Sequence, residues 1–161
     1  MNIGNLVIEH NYKSIEQGVR DNILSMVAMG RLKKPESLFE MVYRHQMGRA
    51  TGHTKIALDL VCRPLSLYRG TVKAKWFFAG GKHMENWRAY NEISKVDFEE
   101  NAVIMSNRDS LRGVVCDNET EVLVIDLMNG CHTVSPWIRF QESYHDLRIH
   151  FPNLKTVVVL Q

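Results

Sequence analysis

Cysteine is scarce in this sequence. Its three residues, Cys62, Cys116 and Cys131, are odd in number and widely spaced, and no Cys-x-x-Cys occurs. That argues against a disulfide framework and fits free, packed thiols in a reducing compartment. A long apolar run is also missing: nothing approaches the roughly 18 residues a membrane span needs. The first residues, MNIGNLVIEHNYK, lack the basic-then-apolar layout of a secretory leader. Excess charge is absent as well. Twenty Lys and Arg against 18 Asp and Glu leave a net charge of +2, too little for strong nonspecific nucleic-acid binding. No internal repeat, low-complexity tract or G-x-S-x-G elbow is present. The expectation is a cytoplasmic protein, in the host cytoplasm if the source is viral.

What is present is an ordinary globular composition, 45% hydrophobic and 24% charged, over 161 residues. That is enough for a single domain over 1–161, with residues 1–46 as a mainly helical N-terminal segment. IGNLVI at 3–8 has the look of a short strand. Ile15, Val19, Ile23, Met26 and Val27 recur near helical spacing and predict a helix over about 15–31. Pro35 and Glu36 suit the first turn of a second helix, over about 35–46. A helix from Thr54 follows, stopped by Pro64.

Beyond it, strands are expected at 75–79, 102–105, 121–126 and 156–160. Helices are expected at 83–95 and, after the cap-like Ser135-Pro136, through about 149. The last two strands are continuously apolar, as in strands buried on both faces. Strands alternating with helices give an α/β fold of three layers, with a mostly parallel sheet flanked by helices.

The stretch with chemical content is MGRATGHT, residues 47–54, leading into KIALDL. A phosphate-binding loop has the form G-x-x-x-x-G-K-[ST]. Glycines let backbone N–H groups reach the phosphates, lysine grips the outer ones, and the hydroxyl holds magnesium. The helix that follows points its N-terminus at the anion. Gly52 and Thr54 match, Met47 replaces the first glycine with Gly48 one place late, and His53 replaces the lysine. The plainer reading is a glycine-containing turn between two helices. About 70 residues on, VLVID supplies a buried strand ending in Asp126, the shape that holds magnesium in such sites.

Together these segments resemble phage-encoded P-loop NTPase-like proteins, including large-terminase and RecA-like ATPase cores. GRATGHT is similar to their "GR-x-T-G-[KR]-T" loop. Ser110-Leu111-Arg112-Gly113, shortly before VLVIDL, resembles their "LRG…hhhDE" segment. The resemblance covers residues 46–127 and implies a P-loop NTPase-like fold binding ATP or another nucleotide with magnesium. It implies phosphate contacts from Gly48, Arg49, Thr51, Gly52, His53, Thr54, Lys82 and Arg112, and a magnesium site at Thr54 and Asp126. Two departures weaken catalysis: His53 stands for the lysine, and Leu127 follows Asp126 where the family has a second acid. Arg49 is able to grip two phosphate oxygens in place of the lysine. Weak or absent ATP hydrolysis follows, and the catalytic residues stay unassigned.

The alternative is a retired P-loop scaffold that binds a protein, such as a host factor. A DNA-binding module is a weaker third reading. No zinc is expected: Cys131, His132, His145 and His150 fit no ligand spacing. Glu99-Glu100 and Asp117-Asn118-Glu119 read as solvated turns, and Trp76, Phe77 and Phe78 as core.

Overall fold

A computed structural model describes residues 3–46, 53–63, 65–67, 70–79, 84–85, 88, 100–104, 116–127 and 136–161; for 3–11, 53 and 136 the description is of the backbone. The helices described from end to end are α1 (Ile3–Leu32), α2 (Leu38–Met41), α3 (His53–Cys62), α4 (Pro136–Glu142) and α5 (Tyr144–His150). The strands are β1 (Val42–His45), β2 (Leu65–Leu67), β3 (Gly70–Phe78), β4 (Ala102–Ile104), β5 (Thr120–Asp126) and β6 (Thr156–Leu160).

The sheet forms where the sequence is most continuously apolar. Every residue of β5 and β6 is buried. They are central strands in the order β1-β6-β5-β3-β2, with β4 paired to the end of β3. All pairs are parallel except β2 with β3, so the α/β class with a mostly parallel, helix-flanked sheet holds. Gly70, which opposes Leu67 at the start of β3, has φ +122°, a backbone conformation that suits glycine.

Alternation along each strand sorts the core into two layers. Val72, Ala74, Trp76, Val122, Val124, Val158 and Leu160 face one side, with Val19, Ile23 and Val27 of α1 and Ile56, Ala57 and Leu60 of α3. Phe77, Leu123, Ile125, Val157 and Val159 face the other, with Phe140 of α4 and Tyr144 and Leu147 of α5. Phe140 meets Phe77 edge-on at 5.1 Å between ring centroids.

Several local expectations are corrected. Residues 3–8 are not a strand but the first turns of α1, which runs 30 residues. The helix expected over 35–46 is one turn, capped by the Ser37 hydroxyl, and gives way at Val42 to a strand that pairs with β6. The helix expected through 149 is two, α4 and α5. They are divided at Ser143, whose hydroxyl donates to the Arg139 carbonyl at 2.9 Å. Such back-bonding bends helices. The antiparallel β2 was not foreseen, and β3 starts five residues earlier than expected. The helix expected over 83–95 lies largely outside the described residues. Cys62 and Cys116, expected to be packed thiols, are exposed, and Cys131 lies outside the described residues.

Candidate functional site

The correction at Val42 matters most for function. β1 ends at His45, and α3 opens at His53 with seven residues between them. The residues before and after 47–52 are therefore strand and helix, where the sequence alone suggested two helices. The cause is competition: Leu38, Phe39, Val42 and Tyr43 share a helical spacing, but Phe39 is 93% exposed and Val42–His45 find a parallel partner in Val157–Leu160.

Asp126 ends β5, two strands away from β1. Leu160 of β6 is the register partner of both His45 and Asp126. With adjacent strands about 4.8 Å apart, the exit of β1 and Asp126 stand at one level of one sheet edge, roughly 10 Å from each other. The ladder continues past this level, since Leu127 N–H donates to Leu160 O at 2.9 Å and Gln161 N–H to His45 O at 3.1 Å. Parity places Asp126 on the side of Val122 and Val124, the layer that α3 covers. The residue is 5% exposed. In open parallel sheets, ligands bind in the crevice outside such carboxyl ends.

α3 is held down by burial and by one directional contact. Ile56, Ala57 and Leu60 are its buried stripe over β3, β5 and β6. The Trp76 indole N–H donates to the Ala57 carbonyl at 2.8 Å inside the core. Beside α3, Tyr12 of α1 donates to Asp59 at 3.4 Å, and the Lys55 ammonium lies 4.5 Å from the Tyr12 ring centroid. Burial, with the carboxylates of Glu16 and Asp59, pushes the Tyr12 phenol above its usual range, so it stays neutral. Burial and Asp59 also push Glu16 up.

Of the sequence-predicted site residues, Thr54 lies half-buried in the first turn of α3 and Asp126 at the end of β5. His53 is the first residue of α3. Gly48, Arg49, Thr51, Gly52, Lys82 and Arg112 lie outside the described residues. His45 was not foreseen. Its Nδ1 is 3.1 Å from the Tyr43 hydroxyl, which also accepts from Asn22 at 3.3 Å. Its only advance signal was its place just before MGRATGHT.

Among the described residues, no cluster of three or more His, Cys, Asp or Glu is arranged to hold a metal, and no helix is long and apolar enough to cross a membrane. No family model, curated protein or solved structure matches the chain. The functional reading therefore rests on the geometry.

Proposed function

We propose that the β1–loop–α3 unit binds a nucleotide or another phosphate ligand, in a phage-type P-loop-like protein with weak or no ATP hydrolysis. One observation carries the reading: His45 and Asp126 share Leu160 as register partner, so the loop leaves the sheet level with a buried carboxylate on the α3 side. Two further features of the sequence support it. The loop holds Gly48, Arg49, Thr51 and Gly52, and it runs into the N-terminus of a ten-residue helix. Arg49, His53, Lys82 and Arg112 are the cations proposed to face the phosphates. The Thr54 hydroxyl and the Asp126 carboxylate are oxygen donors of the kind magnesium prefers, so the residue types fit that ion. Magnesium, when bound, neutralises phosphate charge. Leu127, in the place of a second acid, leaves no carboxylate there to orient water, hence slow turnover.

The test is thermal unfolding with and without magnesium-ATP. At about 100 times its dissociation constant, a ligand adds about 2.7 kcal/mol, which raises the midpoint of a domain this size by about 5 °C or more. The wild type is expected to show that rise, and Thr54→Ala and Asp126→Asn to lose most of it. No rise in the wild type, or the same rise in all three proteins, overturns the proposal.

A protein-binding role on the same scaffold is favoured by a different feature. Leu38, Phe39, Val42 and Trp137 form an apolar groove beside the edge strand β1, with Arg44 stacked 4.7 Å from the Trp137 ring centroid. Under this reading Phe39→Glu abolishes capture of a host protein and magnesium-ATP has no effect on unfolding. Unchanged capture by the variant would reject it.

A further inference from the structure

A polar pocket lies at the opposite end of the sheet from the loop, lined by Arg31, Asn118, Glu119, Glu121, Asn153 and Lys155. It sits where β5 and β6 begin: Lys155 immediately precedes β6, and its N–H donates to Glu121 O at 2.8 Å. Its two carboxylates are already neutralised. Arg31 grips Glu121 with Nε at 2.7 Å and Nη2 at 2.5 Å, and Lys73 holds Glu119 at 3.2 Å. Lys155, by contrast, is half-buried as a residue, and its ammonium has no hydrogen bond or ion pair among the described residues.

The position of Lys155 is built rather than incidental. Its aliphatic stem lies over Gly30, which is buried in α1. A Cβ on that glycine would come within 3.1 Å of Lys155 Cβ and 3.2 Å of Cδ. Lys34, Arg148 and Arg31 oppose the charge of the ammonium, while Glu121 favours it. Burial first, then those cations, lower the Lys155 pKa despite Glu121. A lysine without an ion-pair partner among the described residues, beside two carboxylates already paired with Arg31 and Lys73, is a site short of one anion. Asn118 and Asn153 also line the pocket, and Asn153 Nδ2 donates to the Asn118 backbone carbonyl at 2.6 Å.

We infer that this pocket binds a phosphate group, inorganic or the dianion of a monoester, with Lys155 as its principal cation and Arg31 and Asn118 as flanking donors. It is independent of the loop at 47–54 and stands whether or not that loop binds anything. Tetrahedral phosphate suits several converging N–H donors, and a dianion satisfies both Lys155 and the surplus of the cluster.

The experiment is thermal unfolding in about 20 mM inorganic phosphate, and separately glycerol phosphate, against sodium chloride of equal ionic strength. Wild type, Lys155→Met, Gly30→Ala, Thr54→Ala and the exposed-lysine control Lys33→Met are compared. For a dissociation constant near 1 mM, the wild-type midpoint rises by about 5 °C beyond the salt control. The pocket's share of that rise is expected to persist in Thr54→Ala and Lys33→Met, to be lost in Lys155→Met, and to shrink in Gly30→Ala, where Lys155 has to give by a few tenths of an ångström. The probe giving the larger rise identifies the source as free phosphate or monoester. Equal rises in all five proteins mean general stabilisation by an excluded anion and overturn the inference. So does a rise lost only in Thr54→Ala, which moves the binding to the loop, and so does no rise at all. Should either pocket variant fail to fold, phosphate titration of the labelled wild type decides. Amide resonances of Asn118, Asn153 and Lys155 move if the site is real, and the inference fails if they stay still.

Discussion

Trp76→Ala is expected to lower the unfolding free energy by about 4 kcal/mol and the thermal midpoint by about 12 °C. Trp76 is among the largest fully buried side chains, packed in the layer between β3 and α3. Removing it opens a cavity between sheet and helix and also deletes the 2.8 Å bond to the Ala57 carbonyl. Trp76→Phe separates the two contributions. It keeps most of the ring and loses the donor, so about 1 kcal/mol of the loss is expected to remain. Because α3 is the helix that leaves the loop, the alanine variant is also expected to weaken any magnesium-ATP effect. Denaturant unfolding of the three proteins checks the ordering. A Trp76→Ala loss below about 1 kcal/mol would mean that α3 does not depend on this contact.

The second large effect belongs to Asp117, at the mouth of the sheet below β5. Its carboxylate accepts from Lys75 at 2.9 Å, from the Thr120 hydroxyl at 2.8 Å and from the Glu119 N–H at 2.8 Å. Burial alone would raise its pKa. The hydrogen bonds from Lys75, Thr120 and Glu119 outweigh that and hold it well below the usual carboxylate range. A depressed folded pKa contributes stability above the unfolded value of about 4, lost as pH falls below it toward the folded value. Asp117→Asn is therefore expected to cost about 2 kcal/mol at pH 7. That gap should narrow steadily as the pH drops below about 4. Unfolding curves of both proteins from pH 7 to pH 2 measure it, and a gap that stays constant across that range would refute the assignment.

These two residues show what the sequence disclosed and what it hid. Trp76, Phe77 and Phe78 read as core because they sit together in an apolar run, and all three are buried. The strands VLVID and TVVVL read as central because nothing in them prefers water, and they lie side by side at the centre of the sheet. Asp117-Asn118-Glu119 read as a solvated turn, yet Asp117 is half-buried and clamped by lysines about 40 residues earlier in the chain. No local pattern carries a contact of that span. The same holds for Arg31 with Glu121, separated by 90 residues. At the candidate site, the helix after the loop and the carboxylate at the end of β5 were legible. The strand before the loop was not, because four residues whose partners are supplied by 157–160 leave too weak a local period to outvote the helical spacing of 38–43.

That last pairing also sets an order of events. β1 lies at the edge of the sheet, and its one strand neighbour among the described residues is β6, more than 110 positions later. The helices and the β2–β3 hairpin close on nearby residues, but β1 has nothing to pair with until 157–160 have been synthesised. Loop closure over that distance is slow compared with local structure. On a ribosome, the segment leading into MGRATGHT therefore waits without its β6 partner until residues 157–160 have been made. The strand that would deliver the candidate loop is thus among the last parts of the sheet to close.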